Sequence, residues 1–345
     1  MHFSKRLKCG HLPFSRSTCL CSSRAVKPLT AAVASPHCLP SPDGRLLAAL
    51  FPSVINIRRV ETLEVDHVVK LPQDLSGPVL SFQWSPCSRH VLVAVTDQIH
   101  VFSASEDPPF HAVIRSPAPP AAKPAFVSFG PEATEVCAVG PPGLKFALYG
   151  LRTSKSVEIG NPKFSGAAAA RRGFCFRPRS RHMALLTRVA GKDMISIHHP
   201  STREMQQAWS PDAVDIQGLL WSPDGRWLVA WESPAHGHKV LFHTADGHTF
   251  RRWTGPRHLP GAGHGDDTLG TGVKHVQFSP DALHLAIGDS SRGICMFDMA
   301  SIREAARLQH PTSMAPTEAI QVRRASVWKR RRRADTATCR FGKSK

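Results

Sequence analysis

No run in this 345-residue sequence approaches the roughly eighteen apolar residues that a membrane-spanning helix needs. The longest apolar runs, such as residues 91–95, are the size of a β-strand. No Asn-x-Ser/Thr sequon and no apolar signal-peptide core are present, and the nine cysteines follow no disulfide spacing. A reducing intracellular compartment is therefore expected. Catalytic signatures are missing too: there is no Gly-x-Ser-x-Gly, no His-Glu-x-x-His and no Walker loop. Gly261-Ala262-Gly263-His264-Gly265 lacks a helix start behind it and reads as a flexible loop rather than a phosphate cradle. Cys9, His11, Cys19 and Cys21 lack the spacing of zinc ligands. His243, Asp246 and Asp215 form no recognisable triad. The chain is not expected to be an enzyme or to hold a cofactor or a metal.

Charge of one sign is scarce at the ends. Residues 1–42 hold six bases and no acid, and residues 323–345 hold ten bases and one acid, so these two segments carry +6 and +9 of the formal +18. The 280 residues between them carry only +3. A domain that reads nucleic acid would itself be basic. Here the body is near neutral, and contact with nucleic acid is expected only through the tails.

What is abundant is proline and glycine, 29 and 24 residues against 20% charged, which suggests many turns between short strands. One unit recurs six times: an apolar segment, a Pro-containing turn, a second apolar segment, a gap and a third. Its turns are Ser41-Pro42-Asp43-Gly44, Ser85-Pro86, Gly130-Pro131, Arg177-Pro178, Ser222-Pro223-Asp224-Gly225 and Ser279-Pro280-Asp281. The six prolines are 44, 45, 47, 45 and 57 residues apart. A period near 45 with three or four strands per unit is the signature of a propeller blade. The middle segments are continuously apolar, as for strands buried on both faces between blades. The fold is read as all-β: a propeller with six recognisable blades over residues 39–311, complete at six or an incomplete ring. It is preceded by a basic irregular extension, 1–38, and followed by a basic tail, 312–345, without strand pattern and read as disordered. Trp221 and Phe278, at one position of their repeats, are expected between blades.

These residues resemble the WD-repeat family. The match is divergent, with Phe297-Asp298 standing for the terminal Trp-Asp and no well-formed Gly-His start. The later repeats are similar to the WD-repeat proteins of the centrosome and the fungal spindle pole body. The likeness is carried by Gly218-Leu219-Leu220-Trp221-Ser222-Pro223-Asp224-Gly225, Ala230-Trp231-Glu232, Val240-Leu241-Phe242, Leu285-Ala286-Ile287-Gly288-Asp289 and His310-Pro311. The opening Met1-His2-Phe3-Ser4 is similar as well. The resemblance implies a non-catalytic scaffold in microtubule minus-end anchoring and spindle organisation. Its implied partners are a coiled-coil anchoring protein and, in fungi, a minus-end-directed kinesin. Cytoplasm, cytoskeleton, centrosome or spindle pole body are the implied locations, with the nucleus as a further one, and no membrane. Two departures stand out. Residues 9–38 interrupt the run into the first repeat, and residues 312–345 replace the further repeats of the family, each either genuine or a splicing or gene-model product. The alternative is a WD-repeat scaffold of another complex, such as RNA processing, whose basic tails contact nucleic acid.

Two segments are candidates for partner binding. Arg251, Arg252, Trp253, Arg257 and His258 combine cations with an aromatic in a long insertion between the fifth and sixth repeats, a composition enriched at hot spots. The plain reading of the same stretch is an outer strand, residues 249–253, followed by a Gly-rich linker. Lys329, Arg330, Arg331, Arg332 and Arg333 form a basic run suited to acidic tubulin tails, nucleic acid or nuclear localisation.

Overall fold

The computed structural model describes residues 37–75, 77–105, 109–115, 126–140, 145–164, 172–255, 272–290 and 293–309, together with the backbone course of 319–323 and 338–342. Six four-stranded antiparallel sheets follow one another along the chain. Blade one holds β1 (Cys38–Pro40), β2 (Leu46–Leu50), β3 (Val54–Arg59) and β4 (Val65–Lys70). Blade two holds β5 (Ser81–Trp84), β6 (His90–Ala94), β7 (Gln98–Ser103) and β8 (His111–Arg115). Blade three holds β9 (Phe126–Phe129), β10 (Glu135–Val139), β11 (Lys145–Gly150) and β12 (Ser156–Gly160). Blade four holds β13 (Phe174–Phe176), β14 (Met183–Val189), β15 (Lys192–His198) and β16 (Met205–Trp209). Blade five holds β17 (Ile216–Trp221), β18 (Trp227–Glu232), β19 (Val240–Thr244) and β20 (Thr249–Trp253). Blade six holds β21 (Val273–Phe278), β22 (His284–Asp289), β23 (Gly293–Asp298) and β24 (Arg303–Gln309). Among the described residues no helix is long and apolar enough to cross a membrane.

The two-sided apolar pattern of the middle strands is used as the sequence implies. Ala184, Leu186, Ile195 and Ile197 of blade four pack with Leu219, Trp221, Leu228, Ala230 and Leu241 of blade five. The alternate residues Val229, Trp231, Val240 and Phe242 pack on the other side against Phe278, Leu285, Ile287, Cys295 and Phe297 of blade six. Equivalent clusters fill the seams one to two, two to three and three to four. Trp221 and Phe278 are 5% and 6% exposed, as their shared register requires. Each such side chain contributes about 1.5–3 kcal/mol by leaving water.

Polar groups tie every seam as well. The Trp84 indole N–H donates to the Leu39 carbonyl at 2.9 Å, and the Gln83 amide donates to the Val127 carbonyl at 2.8 Å. Across the third seam Arg203 forks onto both oxygens of Glu135 at 3.0 and 2.6 Å. Arg177 reaches the Gly225 carbonyl at 2.8 Å, and Arg251 reaches the carbonyls of Ser301 and Ile302 at 3.0 and 2.5 Å.

The repeated turn has one chemistry in three blades. Ser41 donates its hydroxyl to Asp43 at 2.5 Å and accepts the Leu46 N–H at 2.9 Å, while Asp43 accepts the Arg45 N–H. Ser222 with Asp224 and Ser279 with Asp281 repeat the pattern at the same distances. Those bonds, the serine's foremost, hold the carboxyls of Asp43 and Asp281 below the usual range. Gly44 and Gly225 supply the positive φ of 74° that ends the turn; Ser88 and Ala282 adopt φ of 60° at the equivalent place without glycine's freedom.

The tail is where the sequence pattern falls short. β25 (Ala319–Arg323) and β26 (Thr338–Gly342) pair antiparallel as a separate two-stranded ribbon. β25 lies against β21 and β22 much as β17 lies against β13 and β14, so it takes the place of the inner strand of a following blade. Two five-residue segments separated by an arginine-rich stretch give too little periodicity to be seen in the sequence.

Candidate interaction faces of the propeller

The strand directions sort the loops onto two faces. The Ser-Pro-Asp-Gly turns and the links between third and fourth strands lie on one face, here the turn face. The links between second and third strands and those joining successive blades lie on the other.

On the turn face, register places an arginine directly after four of the six turns: Arg45, Arg89, Arg181 and Arg226, all exposed. Blade four departs further. Its turn, Arg177-Pro178-Arg179-Ser180-Arg181, has arginine at both the serine and the aspartate positions of the repeat, so the hydroxyl-to-carboxylate bond is gone. Arg177 is bound to Gly225 and sits over the Trp221 ring, 5.4 Å from its centroid. Arg181 pairs with Glu132 of blade three. Arg179 is exposed and, among the described residues, makes no ion pair. Both Arg179 and Arg181 are held at positive φ, 63° and 61°. Burial first, and then the charge of Arg177, lowers the pKa of His182.

The opposite face carries a buried ionic knot between blades four and five. Lys163 donates to Asp193, to Asp215 at 2.7 Å and to the Ile216 carbonyl at 2.7 Å. Arg188 reaches Asp193 at 3.0 Å, and Asp193 also accepts the Ile216 N–H at 2.7 Å. Burial raises the Asp215 carboxyl, but Lys163 and then Gln217 and Arg188 outweigh it and leave it below its ordinary value. With every oxygen engaged, these acids lock a seam and are poorly placed as bases. Glu232, 2% exposed, accepts the Val214 N–H at 2.5 Å, which gives the Ala-Trp-Glu stretch a structural job. Its neighbour Trp231 lies so close over Gly218 that a Cβ there would overlap the ring.

The rim holds a cleft of about 500 Å³ between β4 and blade two, lined by His67, Val69, Phe102, Phe110 and His111. His100 and His111 share a bond at 3.1 Å and stack with ring centroids 5.3 Å apart, and burial lowers the pKa of both imidazoles.

Three of the five insertion residues are described, and each has an intramolecular partner. Arg251 is spent on blade six, Arg252 pairs with Asp212, and Trp253 packs edge-on against Phe297 at 5.4 Å and His238 at 6.1 Å. The plain reading of this stretch as an outer strand is what β20 shows. Arg257 and His258 lie outside the described residues, as do Lys329, Arg330, Arg331, Arg332 and Arg333, the loop at 261–265 and Cys9, His11, Cys19 and Cys21. Asp246 follows β19 on the turn face while Asp215 precedes β17 on the opposite face, so no triad with His243 forms. Among the described residues no group of three His, Cys, Asp or Glu side chains could hold a metal. The arginine turn of blade four was missed in the sequence; its signal was a repeat position occupied by the wrong residue type.

No protein-family model matches the sequence. The mouse WD repeat-containing protein WRAP73 is 24% identical over 279 residues, 80% of this chain and 55% of the relative. An uncharacterised WD repeat-containing protein of Schizosaccharomyces pombe is 24% identical over 196 residues, 54% of this chain and 38% of the relative. The chain thus spans about half or less of the curated relatives it matches. Among solved structures, the dihydro-heme d1 dehydrogenase NirN in complex with DHE matches 79% of this chain and 56% of its own at a TM-score of 0.54 and 15% identity, a likeness of fold alone. The architecture is that of a β-propeller, and the sequence is similar to those of WD repeat-containing proteins.

Proposed function

We propose that this chain is a non-catalytic scaffold that receives protein partners on its faces and serves microtubule minus-end anchoring at the centrosome or spindle pole body. The observation that carries this reading is the use made of the residues by which its later repeats resemble spindle-pole proteins. Gly218, Trp231 and Glu232 are built into blade five and its seam with blade six. A seam fixed in this way presents the neighbouring loops as a rigid surface, which lowers the ordering cost of binding. The partner is a coiled-coil anchoring protein, joined in fungi by a minus-end-directed kinesin. The basic run at residues 329–333 adds salt-screened contact with acidic tubulin tails or nucleic acid.

The test is imaging of the tagged chain in dividing cells with co-purification of its partners. Concentration at spindle poles together with coiled-coil pole proteins is expected. Enrichment of ribonucleoprotein components without polar signal would replace this reading with the RNA-processing one.

A further inference from the structure

Blade four is where the repeated turn abandons its own chemistry. Blades one, five and six stabilise this turn with a serine and an aspartate, and blades one and five relieve its positive φ with glycine. Blade four has Arg177 and Arg179 in place of the serine and the aspartate, and holds Arg179 and Arg181 at positive φ, a conformation unfavourable for a non-glycine residue. Strain with no local compensation concentrates where a surface is used.

We infer that the Arg179 turn, with the exposed arginines of the turns beside it, is a docking site for an acidic protein segment. Arg177 and Arg181 are already held by Gly225 and Glu132, so they act as fixed supports. Arg179, between them in sequence, is exposed and without a partner among the described residues. Arg226, whose side chain is 79% exposed, comes from the next turn on the same face, and Arg152 and Lys155 come from the link between β11 and β12. Guanidinium groups fixed on a rigid turn suit carboxylates, which they can grip with two parallel bonds. A carboxylate segment fits better than a nucleic acid. The aromatic rings nearby, Trp221 and Phe176, are covered by Arg177 and Arg203 and give no base a stacking surface. The inference does not rest on the spindle-pole reading.

The test is fluorescence anisotropy of a labelled glutamate-rich peptide with the full-length chain at low and near-physiological salt. The double variant Arg179→Glu, Arg226→Glu should weaken binding roughly tenfold, and salt should weaken the native affinity. Lys192→Glu, a single reversal of the same kind on the opposite face, should leave it unaltered. Arg179→Asn keeps a residue type that tolerates positive φ and removes only the charge, so it should cost a smaller but measurable loss even if the double variant folds poorly. Unchanged affinity in Arg179→Asn, or binding abolished by alanines at residues 329–333 and indifferent to the turn, overturns the inference. So does single-stranded RNA binding more tightly than the peptide through the same arginines. A chain that binds the peptide but never reaches spindle poles refutes the proposed function and leaves this site standing.

Discussion

Blades one and six end the series of four-stranded sheets, and their outward faces are finished differently. In blade one, Ile55 and Ile57 of β3 face blade two, while Asn56 and Arg58, which alternate with them, are half-buried on the far side. Leu47 and Ala49 of β2 share that partly wet face. In blade six the far side is as dry as the near one: Ile294 and Met296 alternate with Cys295 and Phe297 and are only 1% and 8% exposed. The ribbon strand β25 lies against β21 and β22. A strand of alternating polarity can stand at the end of a stack, whereas a strand apolar on both faces demands a cover. Polarity on one strand therefore distinguishes a terminal blade from one built to have a neighbour.

The sharpest way to break this contrast is a charge on each far face. Ile294→Asp should cost about 4 kcal/mol or more, because the carboxylate is buried without a partner. Asn56→Asp should stay within about 0.5 kcal/mol. Urea midpoints measure both, and comparable shifts would mean the two faces are equally covered. Removing residues 310–345 comes next. If β25 is the cover, deletion should re-expose Ile294 and Met296 and lower stability by roughly 3 kcal/mol, while removing residues 1–36 leaves the midpoint in place.

Acid should reverse the contrast by attacking the blades between the ends. Burial holds the His243 imidazole down at about 4, and burial also lowers His100 and His198, in blades five, two and four. A histidine depressed in the folded state binds its proton more readily when unfolded. Its stabilising contribution is thus complete above the unfolded value near 6.5 and drains away as pH falls toward the folded value. For His243 the loss is up to about 3 kcal/mol, and His243→Gln should flatten the acid limb of a stability profile. Hydrogen exchange compared at neutral and mildly acid pH should show the largest gain in these blades; a gain confined to blades one and six would refute the assignment. The smallest effect lies in the turns. Ala282→Gly in blade six should stabilise by about 1 kcal/mol, and Gly44→Ala in blade one should destabilise by a similar amount, because both positions need positive φ.

The middle strands of the blades were legible because most of them are apolar on both faces and follow a recurring Pro-containing turn. The outer strands were harder. Val65–Lys70 and Ser156–Gly160 have one wet face and few apolar residues, and Arg303–Gln309 is rich in helix formers yet pairs with β23 because the sheet edge outweighs propensity. The insertion near Trp253 drew attention by composition, but composition cannot show that Arg251 already has carbonyl partners in blade six. The blade-four arginines were overlooked for the opposite reason: their meaning lies in what the other five turns have at that place.

The seams have a consequence for how such a chain drifts in evolution. Trp84, Gln83, Arg177, Lys163 and Arg251 all reach across to a main-chain carbonyl, those of Leu39, Val127, Gly225, Ile216 and Ile302. Any residue supplies a carbonyl, so at these joints, unlike the Arg203–Glu135 pair of the third seam, the accepting side places no demand on side-chain identity. One blade can exchange its residues at the joint while its neighbour keeps its grip. Substitutions then need not arise in matched pairs, and a family built this way can lose its most recognisable letters while its blades remain fastened to one another.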